Sequence, residues 1–387
     1  MMVVGRAHNL DLISALEQVV VRGASDLHVT LDVPPMLRID GDLQPLEMFD
    51  AWSREKITSS LLGILTPLQL EKFERDMELD FTYVLEDGTR FRVNLYRQRG
   101  TLGGAFRRIP TEIVKLETLG IPASVGDFAQ LPRGLVLVTG PTGSGKSTTL
   151  AALIDLINST YAKHIVSVED PIEFLHHAKR SIVNQREVGS DTHSFSAALK
   201  HVLRQDPDVI LIGELRDLET ISVALTAAET GHLVFATLHT QDAPQTIDRI
   251  IDVFPPHQQE QVRTQLAATL RGVVSQALIK RADGKGRVVA TEILVTTPAV
   301  SNLIREGKTY QIISTMQAGR SHGMHTMDQH LAKLIKAETI TYDAALEQAH
   351  DKNGLDNLLK EFNKEGTMSR SLNEPINFGD SFSNVAL

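Results

Sequence analysis

The stretch LVLVTGPTGSGKST, residues 135–148, decides the fold: an apolar run, a glycine-rich turn, and then Leu150, Leu153, Ile154 and Ile157 at helical spacing. Strand, loop and helix in that order match the pattern in which backbone N–H groups wrap phosphate oxygens at a helix N-terminus. The glycines let the backbone turn inward, and the helix dipole adds to the pull on an anion. Lys146 is placed to reach β- and γ-phosphates, and Ser147 to offer its hydroxyl to a Mg²⁺ ion bridging them. The nucleotide-binding set read from this stretch is Gly140, Pro141, Thr142, Gly143, Ser144, Gly145, Lys146, Ser147 and Thr148, with ATP and Mg²⁺ as the implied ligands.

Outward from this loop, segments 134–139, 164–168, 209–212 and 232–238 are strand-like and separated by helical stretches. That alternation predicts an α/β unit, a largely parallel sheet covered on both faces. Ligands of such sheets lie beyond the carboxyl ends of the strands, so polar residues just after a strand are candidates for the site. Segment 209–212 runs into Gly213-Glu214, and Glu214 is the candidate catalytic base; a Glu opening the next helix is the alternative. Asp208, before that strand, belongs at the far end. Segment 165–168 runs into Glu169-Asp170-Pro171, with Glu173 at helix-like distance. Glu169 is the stronger candidate there, since Asp170-Pro171 also reads as a turn with a helix-capping Asp. Glu169 and Glu214 are both placed to reach a metal through its water shell. His239 closes the last strand and His232 opens it; either imidazole can bond a phosphate, although a lone histidine is more often structural.

Before this unit the pattern differs. Residues 10–21 have helical spacing, 27–39 read as extended segments broken by Pro34 and Pro35, and 52–62 and 67–75 as short helices. Phe81, Tyr83 and Leu85 alternate with polar residues, Asp87-Gly88 supplies a turn, and Phe91, Val93 and Leu95 alternate again, which predicts a hairpin. One more strand over 102–109 completes a small α+β domain. The domains expected are 1–115, then 116–365 with a helical C-terminal part, then a polar, Ser- and Asn-containing tail over 366–387 expected to be disordered.

Composition narrows the function. The 387 residues carry a net charge of −9 and contain no cysteine. An acidic chain lacks the basic footprint of nucleic-acid binding, and the absence of thiols excludes disulfides and thiolate zinc sites. No apolar run approaches the length of a membrane span or a signal-peptide core, which predicts a cytoplasmic protein.

Taken together, GPTGSGKST (140–148), VEDPIE (168–173), LIGELRD (211–217) and TGHLVFATLHT (230–240) resemble the Walker A, Asp box, Walker B and His box of the secretion ATPase superfamily. Within it the chain is similar to the PilT-type pilus retraction ATPases. AVSNLIRE (299–306) resembles that family's AIRNLIRE, departing at Val300 and Ser301, and the likeness continues through MHTMDQHL (324–331). Assembly and type II secretion ATPases usually carry a cysteine-rich zinc insertion, which this chain lacks. SDLHV (25–29), PPMLRIDG (34–41) and RFRVN (90–94) resemble the family's PAS-like N-terminal domain.

The resemblance implies a RecA-like ATPase domain behind that PAS-like domain, ATP hydrolysis, and a homohexamer working on an inner-membrane pilus platform protein at the inner face of the membrane. It also brings in paralogous motor ATPases as partners and gives no role to nucleic acid. Arg92 and Arg107 match the family's paired arginines, which act on a neighbouring subunit's nucleotide; Arg97, Arg99 and Arg108 lie close by. The implied catalytic set is Glu214, Glu169, Lys146, Arg92, Arg107 and His239. An assembly or secretion ATPase, and a nucleotide-dependent scaffold without turnover, are the alternatives.

Overall fold

Alternating apolar and polar residues in Phe81–Leu85 and Phe91–Leu95 require strands that bury one face and expose the other. A computed structural model of the chain describes residues 10–39, 42–110 and 112–364, so the predicted disordered tail lies outside the described residues. The described chain divides into two compact units: the first runs to Glu112 and includes Glu173–Leu175, and the second comprises Ile113–Ile172 and His176 onward.

The first unit contains α1 (Leu10–Val21), β1 (Asp26–Val29), β2 (Met36–Ile39), β3 (Asp42–Pro45), α2 (Arg54–Leu62), α3 (Pro67–Asp76), β4 (Glu78–Val84), β5 (Arg90–Gln98) and β6 (Thr101–Ile109). Its strands form an antiparallel sheet in the order β3-β2-β1-β6-β5-β4. The predicted hairpin is β4–β5, with Phe81 opposite Val93. Its turn is closed by Leu85 N–H donating to Thr89 O at 2.8 Å, with Thr89 N–H donating to Asp87 Oδ1 at 2.8 Å. Phe91, Val93, Phe106, Leu27, Leu12 and Leu16 meet in one buried core. Thr66 and Gln69 form a reciprocal cap that starts α3, satisfying N–H groups that a helix start leaves without partners. Strand β3 has no counterpart in the sequence reading: all four of its residues are exposed at the sheet edge, so it shows no alternation.

The second unit contains β7 (Gly134–Thr139), α4 (Lys146–Thr160), β8 (His164–Glu169), β9 (Ile182–Glu187), α5 (Phe195–Val202), β10 (Val209–Ile212), α6 (Leu218–Glu229), β11 (Leu233–Leu238), α7 (Ala243–Asp252), α8 (Pro256–Thr269), β12 (Leu270–Lys280) and β13 (Arg287–Val295). The helices α9 (Pro298–Arg305), α10 (Ile312–Ala318), α11 (Met327–Lys336), α12 (Tyr342–Leu346) and α13 (Lys352–Lys364) follow. The sheet order is β13-β12-β7-β11-β10-β8-β9, parallel except for β13 at one edge. Side chains alternate between faces. Leu135, Leu137, Ile210, Ile212 and Val234 pack with α5–α8, while Val136, Val138, Leu211 and Phe235 pack with Leu150, Leu153 and Ile157 of α4. This is the expected α/β architecture, apolar on both faces of the sheet.

A third cluster joins the C-terminal helices to the sheet, with Leu331 and Ala332 of α11 against Ala277, Ile279 and Ala290. Beside it, Thr291 N–H donates to His330 Nδ1 at 2.9 Å, and Thr291 Oγ1 lies 3.0 Å from His325 Nε2. The two imidazoles stand edge to face, 5.1 Å between centres. Burial pushes His325 down to about 3 and His330 to about 4, with nearby positive charge adding to the effect, so both rings are neutral at physiological pH.

Candidate active site

Because β7, β11, β10 and β8 run parallel, their carboxyl ends lie together. The register sets Thr139 beside Leu238, and Ile212 beside both Ala236 and Val168. Beyond these ends the chain keeps bonding between strands: Gly213 N–H donates to Val168 O at 2.8 Å and Leu215 N–H to Thr237 O at 3.0 Å. Glu214 therefore sits on an extended segment. The next helix starts only at Leu218, capped by Asp217, so the geometry does not support reading Glu214 as a helix-opening residue.

After β7 the chain turns at Gly140 and enters α4 through Gly145, a left-handed residue that supplies no side-chain cap. No N-cap side chain covers the first turn of α4, so an anion can approach its N–H groups. At Gly140 (φ 137°) a Cβ would lie 2.3 Å from Gln276 O and 2.7 Å from Ser144 Oγ, so only glycine lets the loop pass. Lys146 is buried, its ammonium donating to Gly140 O at 2.8 Å and Pro141 O at 3.0 Å. Ser147 follows in the first turn, half-buried. Ser144 Oγ and Gln276 Oε1 are buried without hydrogen-bond partners. An uncapped helix start, a loop free of Cβ atoms at its tightest point, a lysine at its mouth and a hydroxyl one residue on fit a polyphosphate with its divalent cation.

His239 links this loop to Glu214. Its Nδ1 lies 3.4 Å from Lys146 Nζ and its Nε2 lies 3.3 Å from Glu214 Oε1. With the lysine donating to Nδ1, the ring proton belongs on Nε2 and points at the carboxylate. Glu214 also pairs with Arg216 at 2.8 Å. Burial alone would push the Glu214 carboxyl up, but Arg216 and His239 outweigh burial and hold it below its usual range, so Glu214 is ionised at neutral pH. Glu169, the last residue of β8, is buried and accepts from Ser167 Oγ at 2.6 Å and Gln185 Nε2 at 3.2 Å.

Two expectations need correction. His232 precedes β11 and so lies at the amino end of the sheet, where Gly134 N–H donates to its carbonyl at 3.0 Å. Its Nδ1 lies 2.9 Å from Ala227 O at the end of α6, which is a structural bond a strand's length from the phosphate loop. Glu173 is not on a helix either, since residues 170–179 are irregular. Asp208 is at the amino end as expected, accepting from His164 N–H at 2.8 Å. Sequence reading missed Arg216, although it lies inside the quoted LIGELRD, and it missed Ser167, Gln185 and Gln276, whose placement depends on strand register.

In the first unit Arg92 and Arg107 stand directly opposite each other on β5 and β6, hence on one face. Both are exposed. Arg107 Nε is 2.8 Å from Asp26 Oδ1. Burial raises the Asp26 carboxyl, but the Arg107 and Ser25 hydrogen bonds bring it below its usual range.

Residues 107–370 match the family model described as "Type II/IV secretion system protein". The chain is similar to the type IV pilus retraction ATPase PilT of Pseudomonas aeruginosa, 48% identical over 88% of this chain and 98% of that one. A twitching motility protein of Neisseria gonorrhoeae is 48% identical over 83% of this chain and 86% of its own. Among solved structures, that of the pilus retraction motor PilT with bound ADP superposes with a TM-score of 0.85 at 45% identity, covering 90% of this chain and all (100%) of the other.

Proposed function

Because the chain belongs to the type II/IV secretion system protein family and is a nucleotide-binding ATPase of that family, we propose that it is a hexameric motor whose ATP hydrolysis retracts type IV pili. The observation that carries this reading is the line Lys146–His239–Glu214, which ties the phosphate loop to an ionised carboxylate at the carboxyl ends of neighbouring strands. Likeness to a retraction ATPase along nearly its whole length supports the direction of the work.

In this reading Lys146 turns from Gly140 O and Pro141 O to the β- and γ-phosphates, and the first turn of α4 donates N–H groups to them. Ser147 would hold a Mg²⁺ ion, with Glu169 and Glu214 placed to bond its water shell, and the ion would supply positive charge against the phosphate oxygens. Glu214 orients the attacking water. The water oxygen adds to the γ-phosphorus as the bond to the oxygen bridging the β-phosphate breaks, giving ADP and phosphate, and Glu214 accepts the proton the water loses. His239 joins the group that binds the γ-phosphate to the group that handles water. Arg92 and Arg107 serve the nucleotide of the neighbouring subunit, where guanidinium groups stabilise charge spreading over the phosphoryl oxygens. Among the described residues no helix is long and apolar enough to cross a membrane, and the force is delivered to a membrane-embedded pilus partner from the cytoplasmic side.

The test is steady-state ATPase activity of wild type and Glu214→Gln, with mass by light scattering. The expected result is a hexamer with Mg²⁺-dependent turnover that falls about 10²- to 10⁴-fold in the variant while ATP still binds. Unchanged turnover would remove Glu214 from catalysis. Rings mixed from Arg107→Ala and Glu214→Gln subunits regain turnover if the arginine acts in trans. In cells, loss of the protein leaves abundant surface pili; a bald strain would instead indicate an assembly ATPase.

A further inference from the structure

Glu292, on β13, is 2% exposed and bonds to the starts of two helices. Its Oε1 accepts from Ala243 N–H at 2.8 Å and its Oε2 from Met327 N–H at 3.3 Å. Ala243 is the first residue of α7 and Met327 the first of α11. First-turn N–H groups have no partner inside their own helix and lie at its positive end, so a carboxylate suits both. Burial pushes the Glu292 carboxyl up to about 7, with the Ala243 N–H bond and His350 opposing it.

His239 lies only four positions before Ala243. The loop between them is tied down, with Thr240 Oγ1 2.7 Å from Thr246 Oγ1, and Thr246 Oγ1 donating to Asp242 O at 2.6 Å. On the other side, Asp328 of α11 accepts from His350 N–H at 2.9 Å and Asp351 N–H at 3.0 Å, just before α13. A continuous series of hydrogen bonds and short loops thus runs from the C-terminal helices through Glu292 to the imidazole beside Lys146 and Glu214.

We propose that Glu292 is a positioning residue for His239: it fixes the start of α7 against the start of α11, so that the His239 loop and the C-terminal helices shift together as the nucleotide site changes. The proposal rests on the reading of His239 given above. Glutamine at this position keeps the volume but has one acceptor oxygen, and it turns an NH₂ group toward the second backbone N–H, donor against donor.

The experiment measures kcat and KM for wild type, Glu292→Gln, His239→Ala and the double variant, with the ADP Kd of each. Displacing a positioned group by about 1 Å can cost on the order of 10²-fold. Glu292→Gln is expected to lose about 10- to 100-fold in kcat, to keep its ADP Kd within about twofold, and to add almost nothing on the His239→Ala background. Normal kcat in Glu292→Gln, or losses that multiply in the double variant, would overturn the proposal. Wild-type turnover in His239→Ala would instead remove the premise, and the proposal with it. Amide hydrogen exchange on the wild-type protein gives a readout that needs no variant to fold: adding ADP should change exchange at the Met327 peptide, and unchanged exchange there counts against the coupling.

Discussion

Acidification should weaken the joint between β13 and α11, and His330→Asn should remove half of that weakness. The asparagine Oδ1 can accept from Thr291 N–H in place of His330 Nδ1, which does so at 2.9 Å, and it does not titrate. In the unfolded chain a histidine titrates near 6.5, whereas burial holds His330 at about 4 and His325 at about 3. A depressed histidine contributes its stability above the unfolded value and loses it as pH falls toward the folded one, because only the unfolded chain takes up the proton. Between pH 7.5 and 5.5 that loss is about 1.4 kcal/mol for each ring. Glu292 has the opposite sign: its folded value, raised to about 7, makes the native state bind a proton first, so acidification through this window favours folding. The two contributions partly cancel in the wild-type curve, so the decisive quantity is a difference. His330→Asn should cost stability at pH 7.5 through lost ring packing, and that deficit should shrink by about 1.4 kcal/mol at pH 5.5. For a domain of this size that corresponds to about 3–6 °C in Tm. The assay is differential scanning of wild type and variant in matched buffers at the two pH values, without nucleotide. An equal deficit at both pH values would refute the assignment of His330 as a buried neutral ring.

Three further outcomes are expected. Gly140→Ala places a Cβ 2.3 Å from Gln276 O, and a strain of about 1–3 kcal/mol in the loop should weaken ATP binding by at least about fivefold in a fluorescence titration; affinity equal to wild type would show that the loop rebuilds freely. In α9, Val300 and Ile304 are buried while Asn302 and Arg305 are exposed and bonded to each other at 2.7 Å. Asn302→Ala with Arg305→Ala should therefore leave ATPase activity and Tm near normal and abolish pilus retraction in cells, whereas Ile304→Ala should cost about 2–5 kcal/mol of stability; a double surface variant that still retracts would deny this helix a coupling role.

Much of this molecule is legible in its sequence because its central strands are buried on both faces. Runs such as Val209–Ile212 have no other stable setting, and a polar residue after such a run is placed by chain direction alone. That rule sends Asp208 to the amino end of the sheet, and it applies equally to His232, which therefore belongs with α6 rather than with phosphate. Strands β9 and β3 escape detection as polar or exposed edges, and β12 because it begins directly where α8 stops. Ser167, Gln185, Gln276 and Glu292 are not readable at all. What places them is register between distant segments, as where Thr139 Oγ1 meets Ser275 Oγ at 2.8 Å. The Ser301 position departs from the resembled motif, and here its hydroxyl donates to Ala267 O at 2.9 Å, which turns it inward to α8 and away from the exposed Asn302 and Arg305.

The facing arginines of the first unit have a consequence for how that unit persists. Like charges directly across neighbouring strands work against the sheet by roughly 0.2–1 kcal/mol, and Asp26 bonds only one of the pair at 2.8 Å. A domain shaped for durability alone would place a threonine or a glutamate at one of the two positions. Keeping both leaves that sheet face slightly frustrated in isolation; in the proposed hexamer, a nucleotide brought to that face would complete a balance of charge that the solitary subunit cannot reach.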